Sequence, residues 1–318
     1  GVSFTLSDGL SSNIAVPILE DHDGNVWVGT NLGLDRFSTS LFVSADILPA
    51  TSALGYSSEF SSLGEYIADA RTIYRIDKAQ RAEFVLRSES DISNLLVDRG
   101  GRLWVATSSG LYHVDNGKMV AADLPRDVPD PDVQAIVEDT EGHLWALFEN
   151  GFIFHQTDDG WKPLIVPSGL EKAAPTFIYA DPLGGVWSGF RDNGLLKVQG
   201  SEQSLFTARQ GLDQDHIQVI TRVGNWLMLG GGFGLSIYDG HRFYNISTQQ
   251  LPAAIGISGI AAMEDGSIWL NTLSGVMRIQ KQEMSKALDD SAYTPPYEIF
   301  TAKDGLPGVA EQDSPSQT

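Results

Sequence analysis

The chain has 318 residues, with 21 basic against 41 acidic side chains and a net charge of −20; this excludes the basic patches that nucleic acid or an anionic membrane surface requires. Cysteine is absent, which excludes disulfides, thiolate metal sites and a cysteine nucleophile. No apolar run of about 18 residues occurs and no basic stretch opens the chain, so neither a spanning helix nor a signal peptide is expected.

The chain starts in mid-pattern at Gly1-Val-Ser-Phe4 and reads as a fragment of something larger. The first unit runs Ile14-Ala-Val-Pro-Ile-Leu-Glu20-Asp21, then Gly24-Asn-Val-Trp27-Val-Gly29-Thr30, then Gly33-Leu-Asp-Arg-Phe37. It spells strand, turn, strand, turn, strand. Asp21 followed three residues later by Gly24 supplies a self-capping residue and then one that tolerates positive φ, as a short loop needs. Asp98 with Gly101, Asp139 with Gly142 and Asp181 with Gly184 repeat that spacing. The runs around each tryptophan are apolar at consecutive positions, as expected of strands buried on both faces. Two residues after the ring the side chain is small (Gly29, Ala68, Ala106, Gly189), which would let an adjoining sheet approach closely.

The phrase recurs as Gly-Arg-Leu-Trp104, Gly-His-Leu-Trp145, Gly-Gly-Val-Trp187 and Gly-Ser-Ile-Trp269, with Gly-Asn-Trp226 a shortened copy. Successive tryptophans from Trp27 are separated by 77, 41, 42, 39 and 43 residues, and Tyr66 falls midway across the long gap. Seven copies at a period of about 40 fill the chain, the length of a four-stranded propeller blade. The expected fold is therefore an all-β β-propeller, one domain over residues 1–318, with seven blades of four antiparallel strands. Asn116-Gly117, Asp159-Gly160 and Asp239-Gly240 mark hairpins into outer strands. Phe4-Thr-Leu, Phe206-Thr-Ala and Phe300-Thr-Ala open three variants of one phrase, so either end can supply the closing strand. The alternative is an eight-bladed ring, truncated here. Residues 281–296 form an insertion before the closing strand, with helix expected over 281–288 and an extended Pro295-Pro296 approach after it.

Asp-Gly-Leu-Ser-Ser-Asn13, Glu20-Asp-His-Asp-Gly-Asn-Val-Trp-Val-Gly-Thr30 and Gly33-Leu-Asp-Arg-Phe37 together resemble the two-component regulator propeller repeat. The resemblance covers essentially the whole chain and is clearest in copies one, three and four. It implies the extracytoplasmic, periplasmic sensor part of an inner-membrane signalling protein: a histidine kinase, a hybrid two-component phosphorelay protein or a diguanylate cyclase. It also implies a second propeller and a β-sandwich domain as neighbours in the parent.

Ligand sites of repeat folds lie where the copies differ, at the loops leading into the innermost strands and those joining second to third strands. Candidate ligand-binding residues on that face are Asn13, Asn31, Arg71, Asp132, Arg191, Asp192, His216, Phe233 and Asn271. Arginines, amides and one aromatic can hold a sugar or a small acid through bidentate bonds and stacking. Trp27, Tyr66, Trp104, Trp145, Trp187, Trp226 and Trp269 are read as packing residues of the repeat rather than a stacking ladder. Trp161, off register, is either edge packing or an interface. The six histidines show no metal-ligand spacing, so no metal and no cofactor is expected. Gly230-Gly-Gly-Phe-Gly234 lacks the Lys-Ser/Thr of a P-loop and reads as a loop between strands.

The leading expectation is a non-catalytic sensing module that binds a small molecule or a protein partner. One alternative is a lyase resembling the propeller streptogramin lyases, with His216, flanked by Asp213 and Asp215, as general base. Another is a structural or dimerising propeller that contacts a second copy and relays movement from a neighbouring domain.

Overall fold

The computed structural model describes residues 5–6, 10–20, 26–37, 56–61, 64–79, 81–125, 128, 131–168, 170, 174–190, 194–214, 216–232 and 234–306. Contacts divide the chain into two compact units, residues 1–44 with 300–308, and 45–299 with 309–318.

Every copy of the repeat folds into an antiparallel sheet whose strands are ordered as in the chain, and the seven sheets make an all-β propeller. The first sheet contributes Ala15–Glu20, Val26–Thr30 and Leu34–Phe37; residues 38–55 lie outside the described part. Sheets two to seven have four strands each. Their innermost strands are Tyr56–Ser61, Ile92–Val97, Val133–Glu138, Pro175–Ala180, Ile217–Val223 and Gly259–Ala262, and each adjoins the next. Glu298–Phe300, the later copy of the Phe-Thr phrase, is the outer strand of the seventh sheet. The copy at residues 4–10 lies largely outside the described residues.

The core of the second unit is a stack of five apolar layers, each shared by two consecutive sheets. Tyr66 belongs to the layer between sheets two and three, Trp104 to the next, Trp145 to the next and Trp187 to the one between five and six. Each ring thus wedges toward the sheet that follows its own. The central strands Leu103–Thr107, Leu144–Phe148 and Val186–Phe190 are buried at every position. Coverage on both faces is what consecutive apolar residues in a strand call for. Trp161 packs against the layer containing Trp104 and Phe154, which makes it edge packing.

The aspartate–glycine turns do more than reverse the chain. Asp98, Asp139 and Asp181 each accept a backbone N–H of their own turn through Oδ1 and the indole N–H six residues later through Oδ2, at 2.8, 2.9 and 3.1 Å. A buried indole nitrogen needs such an acceptor, so the turn residue and the wedge specify one another. In the seventh sheet Met263 occupies the aspartate position, and Trp269 donates to Ser267 instead.

The small residue after the ring has a different reason from the expected one at two positions. A Cβ on Gly189 would lie 2.1 Å from the ring of Phe177, and one on Gly29 2.6 Å from Pro17, both on the neighbouring strand of the same sheet. Gly230, in sheet six, faces both neighbours, with Ile257 of the lead-in to the following sheet 2.5 Å and Val219 of its own sheet 2.8 Å from its Cβ position. The 281–296 stretch begins with the helix Lys281–Asp289, whose Met284 and Ala287 are buried in the layer between sheets six and seven.

Candidate functional site

The loops leading into the innermost strands and those joining second to third strands meet at one end of each sheet, tied by backbone bonds. Glu149 N–H donates to Asp132 O, Gly232 N–H to His216 O and Ser258 N–H to Asn271 O. Arg71, in the turn of sheet two, reaches the lead-in of sheet three and pairs with Asp91 at 2.6 Å. Both members of that pair are about half exposed, so its worth is small. Asp132 accepts from the Gln134 amide at 2.8 Å. His216 is half-buried, with Gly231 so close that a Cβ there would sit 1.9 Å from the His216 carbonyl oxygen. Asp213 is exposed and gives its backbone N–H to Asn245. In the other unit, Asn13 accepts from Leu6 N–H at 2.9 Å, and Asn31 donates its backbone N–H to Ile14 O. Arg191, Asp192, Asp215 and Phe233 lie outside the described residues.

Asn271 is the candidate that the fold brings into a concave site. It borders a cleft of about 440 Å³ along the innermost strands of sheets five to seven, together with Tyr179, Thr221, Ile260 and Trp269. Its amide donates to Ser258 Oγ at 3.2 Å and it is exposed. Trp269 is only partly buried, unlike Trp104, Trp145 and Trp187, and borders this cleft. The hydroxyl of Tyr179 accepts the Arg222 N–H at 3.0 Å, and burial pushes its pKa up, so it stays protonated. The cleft therefore combines two aromatic surfaces, an amide and hydroxyls, groups that hold a polar molecule without transferring protons at neutral pH.

A second cleft, of about 520 Å³, opens at the turn end of sheets four and five. It is bordered by the His155 and Trp145 rings and by Gln156, Gln199 and Gln203. None of these was a sequence candidate.

Residues 9–32 match the two-component regulator propeller family. That stretch, within the first copy, carries the two-component regulator propeller repeat. In fold, the chain is similar to the extracellular domain of a putative hybrid two-component system, BT3049 from B. thetaiotaomicron: TM-score 0.67, 19% identity, covering 95% of this chain and 42% of that one. The extracellular domain of BT4673 from the same organism, a putative one-component system, gives a TM-score of 0.64 at 19% identity, covering 92% and 42%. This chain thus spans about two fifths of those domains. A streptogramin B lyase shares the fold at a TM-score of 0.62 and 16% identity, over 81% of this chain and 86% of the lyase. No curated protein matches the chain in sequence. Among the described residues, no helix is long and apolar enough to cross a membrane.

The regulator propeller also contains a recurring polar position that the sequence candidates omit. The innermost strands of sheets three to six each carry a bulge after their first residue, and the displaced residues are Ser93, Gln134, Thr176 and Gln218. A bulge frees one residue from the ladder and re-aims its side chain. Ser93 Oγ donates to Val133 O, and Thr176 Oγ1 donates to Ile217 O at 3.2 Å, in each case the first residue of the next sheet's innermost strand. The signal was legible as one polar residue second in an otherwise apolar first strand.

Proposed function

We propose that this regulator propeller is a non-catalytic sensor module of a bacterial two-component or related transmembrane signalling protein, placed outside the cytoplasmic membrane. Its ligand, a sugar or small acid, binds at the lead-in end of sheets five to seven. The observation that carries the reading is the cleft of about 440 Å³ in which Asn271 meets Trp269 and Tyr179. The likeness to extracellular domains of putative one-component and hybrid two-component systems supports the setting. For such a module to signal, the ligand must favour one state of the parent over the other, since equal affinity for both moves nothing.

The test is a calorimetric and thermal-shift screen against oligosaccharides and small carboxylates. Asn271→Ala and Arg191→Ala are expected to weaken the best ligand by about tenfold each, roughly the worth of one good polar contact. Saturable binding that is indifferent to every substitution at this end would refute the placement.

The fold likeness to a streptogramin B lyase favours one second reading, in which His216 is a general base. Turnover of a cyclic depsipeptide that disappears in His216→Ala would establish it; no turnover on any such substrate disposes of it.

A further inference from the structure

The repeat places a residue of the third strand directly opposite each ring: His113 against Trp104, His155 against Trp145, Lys197 against Trp187 and Arg278 against Trp269. In the second unit a cation lies over four of the five motif indoles, Trp226 among them although the register puts Met228 at the wedge position of sheet six. Arg102 lies 5.9 Å from the Trp104 ring, Lys197 5.4 Å from Trp187, Lys281 5.0 Å from Trp226 and Arg278 5.6 Å from Trp269. Such contacts hold a positive charge against the negative face of the ring.

Trp145 is the exception among the described residues. Its partner is the His155 imidazole, stacked at 4.7 Å and 23°. Burial pushes the His155 pKa down, and the neighbouring His143 and Lys162 push it further, against a smaller opposing pull from Asp139. Its Nδ1 is buried without a hydrogen-bond partner, so an imidazolium there would leave an N–H unsatisfied. The position opposite the ring, held by Lys197 in sheet five and Arg278 in sheet seven, is therefore neutral in sheet four; sheet three also has a histidine there, His113, but Arg102 lies over its ring.

The turn-end cleft of about 520 Å³ opens at this position. Among the described residues that border it none is Lys or Arg, whereas Asp139, Glu141 and Asp158 are acids. Asp139 is held ionised: burial opposes this, but the Trp145 indole and the His143 and Glu141 N–H groups outweigh it. Lys162 is paired with Asp159 at 2.8 Å, and Lys197 sits over Trp187. The three glutamines at the rim, Gln156, Gln199 and Gln203, add amide groups. Among the described residues no group of three or more histidines and acids is disposed to hold a metal ion, and an anion would meet three carboxylates with no lysine or arginine on the lining to offset them.

We propose that the cleft between sheets four and five binds a small organic cation, an ammonium or guanidinium group on a short chain, which supplies beside Trp145 the charge that Lys197 and Arg278 supply in their own sheets. The cationic head meets Glu141 and Asp158, and the chain lies along the His155 and Trp145 rings. This site lies between other strands, shares no bordering residue with the sensor cleft and does not rest on that reading.

Agmatine is the probe, titrated calorimetrically into the chain in about 0.15 M salt, where loose attraction to an acidic surface is screened. Saturable one-to-one binding is expected, with 1,5-pentanediol and glutarate inert. His155→Lys places a built-in cation over Trp145, as Lys197 does over Trp187, and is expected to weaken agmatine by more than about tenfold. His155→Gln keeps the position uncharged and is expected to retain binding, which separates loss of the site from loss of the fold. Glu141→Gln with Asp158→Asn, both on exposed turns, should also weaken agmatine. Equal binding of the diol, no saturation at millimolar agmatine, or agmatine binding unchanged in His155→Lys would each overturn the proposal.

Discussion

Asp181→Ala is expected to lower the unfolding free energy by about 3–5 kcal/mol, the usual cost of removing one partner from a buried ion pair. Asp181 is 1% exposed. It accepts the Trp187 indole at 3.1 Å and the Leu183 N–H at 3.0 Å within its own sheet. It also accepts both Nε and Nη2 of Arg222, which comes from the innermost strand of the next sheet. Removing the carboxylate thus strands a guanidinium and an indole N–H at once. Arg222→Met in the same background should recover part of the loss, because the stranded charge goes with it. The pair also sets an acid limit. Burial alone would raise the Asp181 pKa, but Arg222, Leu183 and Trp187 outweigh it and hold the carboxyl below its ordinary value. A depressed native pKa stabilises the fold above the ordinary carboxylate range, and that contribution disappears as pH falls through the lowered value. Urea denaturation at neutral and at acid pH should show the Asp181→Ala deficit shrinking on acidification. A deficit that is independent of pH would mean that the ion pair is not its source.

Trp187→Ala is expected to cost about 3–5 kcal/mol, as large-to-small changes of buried aromatics do. The ring is 1% exposed and packs with Phe177, Leu195, Ile220 and Leu227. Phe206 and Tyr238 lie 5.5 and 5.9 Å from it, and Lys197 covers it. A cavity there cannot collapse without moving strands of two sheets. Trp161→Ala, in a partly exposed outer strand, should cost less than half as much under the same urea assay. Because Trp187 and Asp181 share a hydrogen bond, the double variant should lose less than the sum of the two singles. Strict additivity would show that the indole–carboxylate bond contributes nothing.

What could be read in advance follows from what recurs. The Gly-x-x-Trp phrase, the Asp–Gly turns and the Gly-Leu third strands repeat because each solves the same packing problem, so period, strand order and most wedge positions are visible in the letters alone; in sheet six the register puts Met228, not Trp226, where Trp187 stands in sheet five. The partnership of Asp98, Asp139 and Asp181 with their indoles was visible only as a constant spacing, and turn chemistry accounted for it without the ring. Gly189 was assigned to the wrong neighbour, since its reason is the Phe177 ring on the adjacent strand and cross-strand pairs are not adjacent in sequence. Asn271 is legible as a variable loop residue, whereas the exposure of Trp269 beside it along the cleft is not, because the motif makes all indoles look alike. The turn-end cleft was invisible: Gln156, Gln199 and Gln203 are ordinary strand-end polar residues until two sheets bring them together. His155 stands at a position that is Lys197 in copy five, Arg278 in copy seven and again histidine, His113, in copy three, a contrast that aligning the repeats exposes once the cross-strand register is known.

The layered core has a consequence for how a perturbation spreads. Each apolar cluster in the second unit is shared by two consecutive sheets, so the energetics approximate a linear array of modules with nearest-neighbour terms. A lesion in one module lowers the opening free energy of the two that flank it and fades beyond them. Amide exchange after Asp181→Ala should therefore accelerate in sheets five and six first, leave sheet two close to its original protection, and trace the coupling length of the array directly.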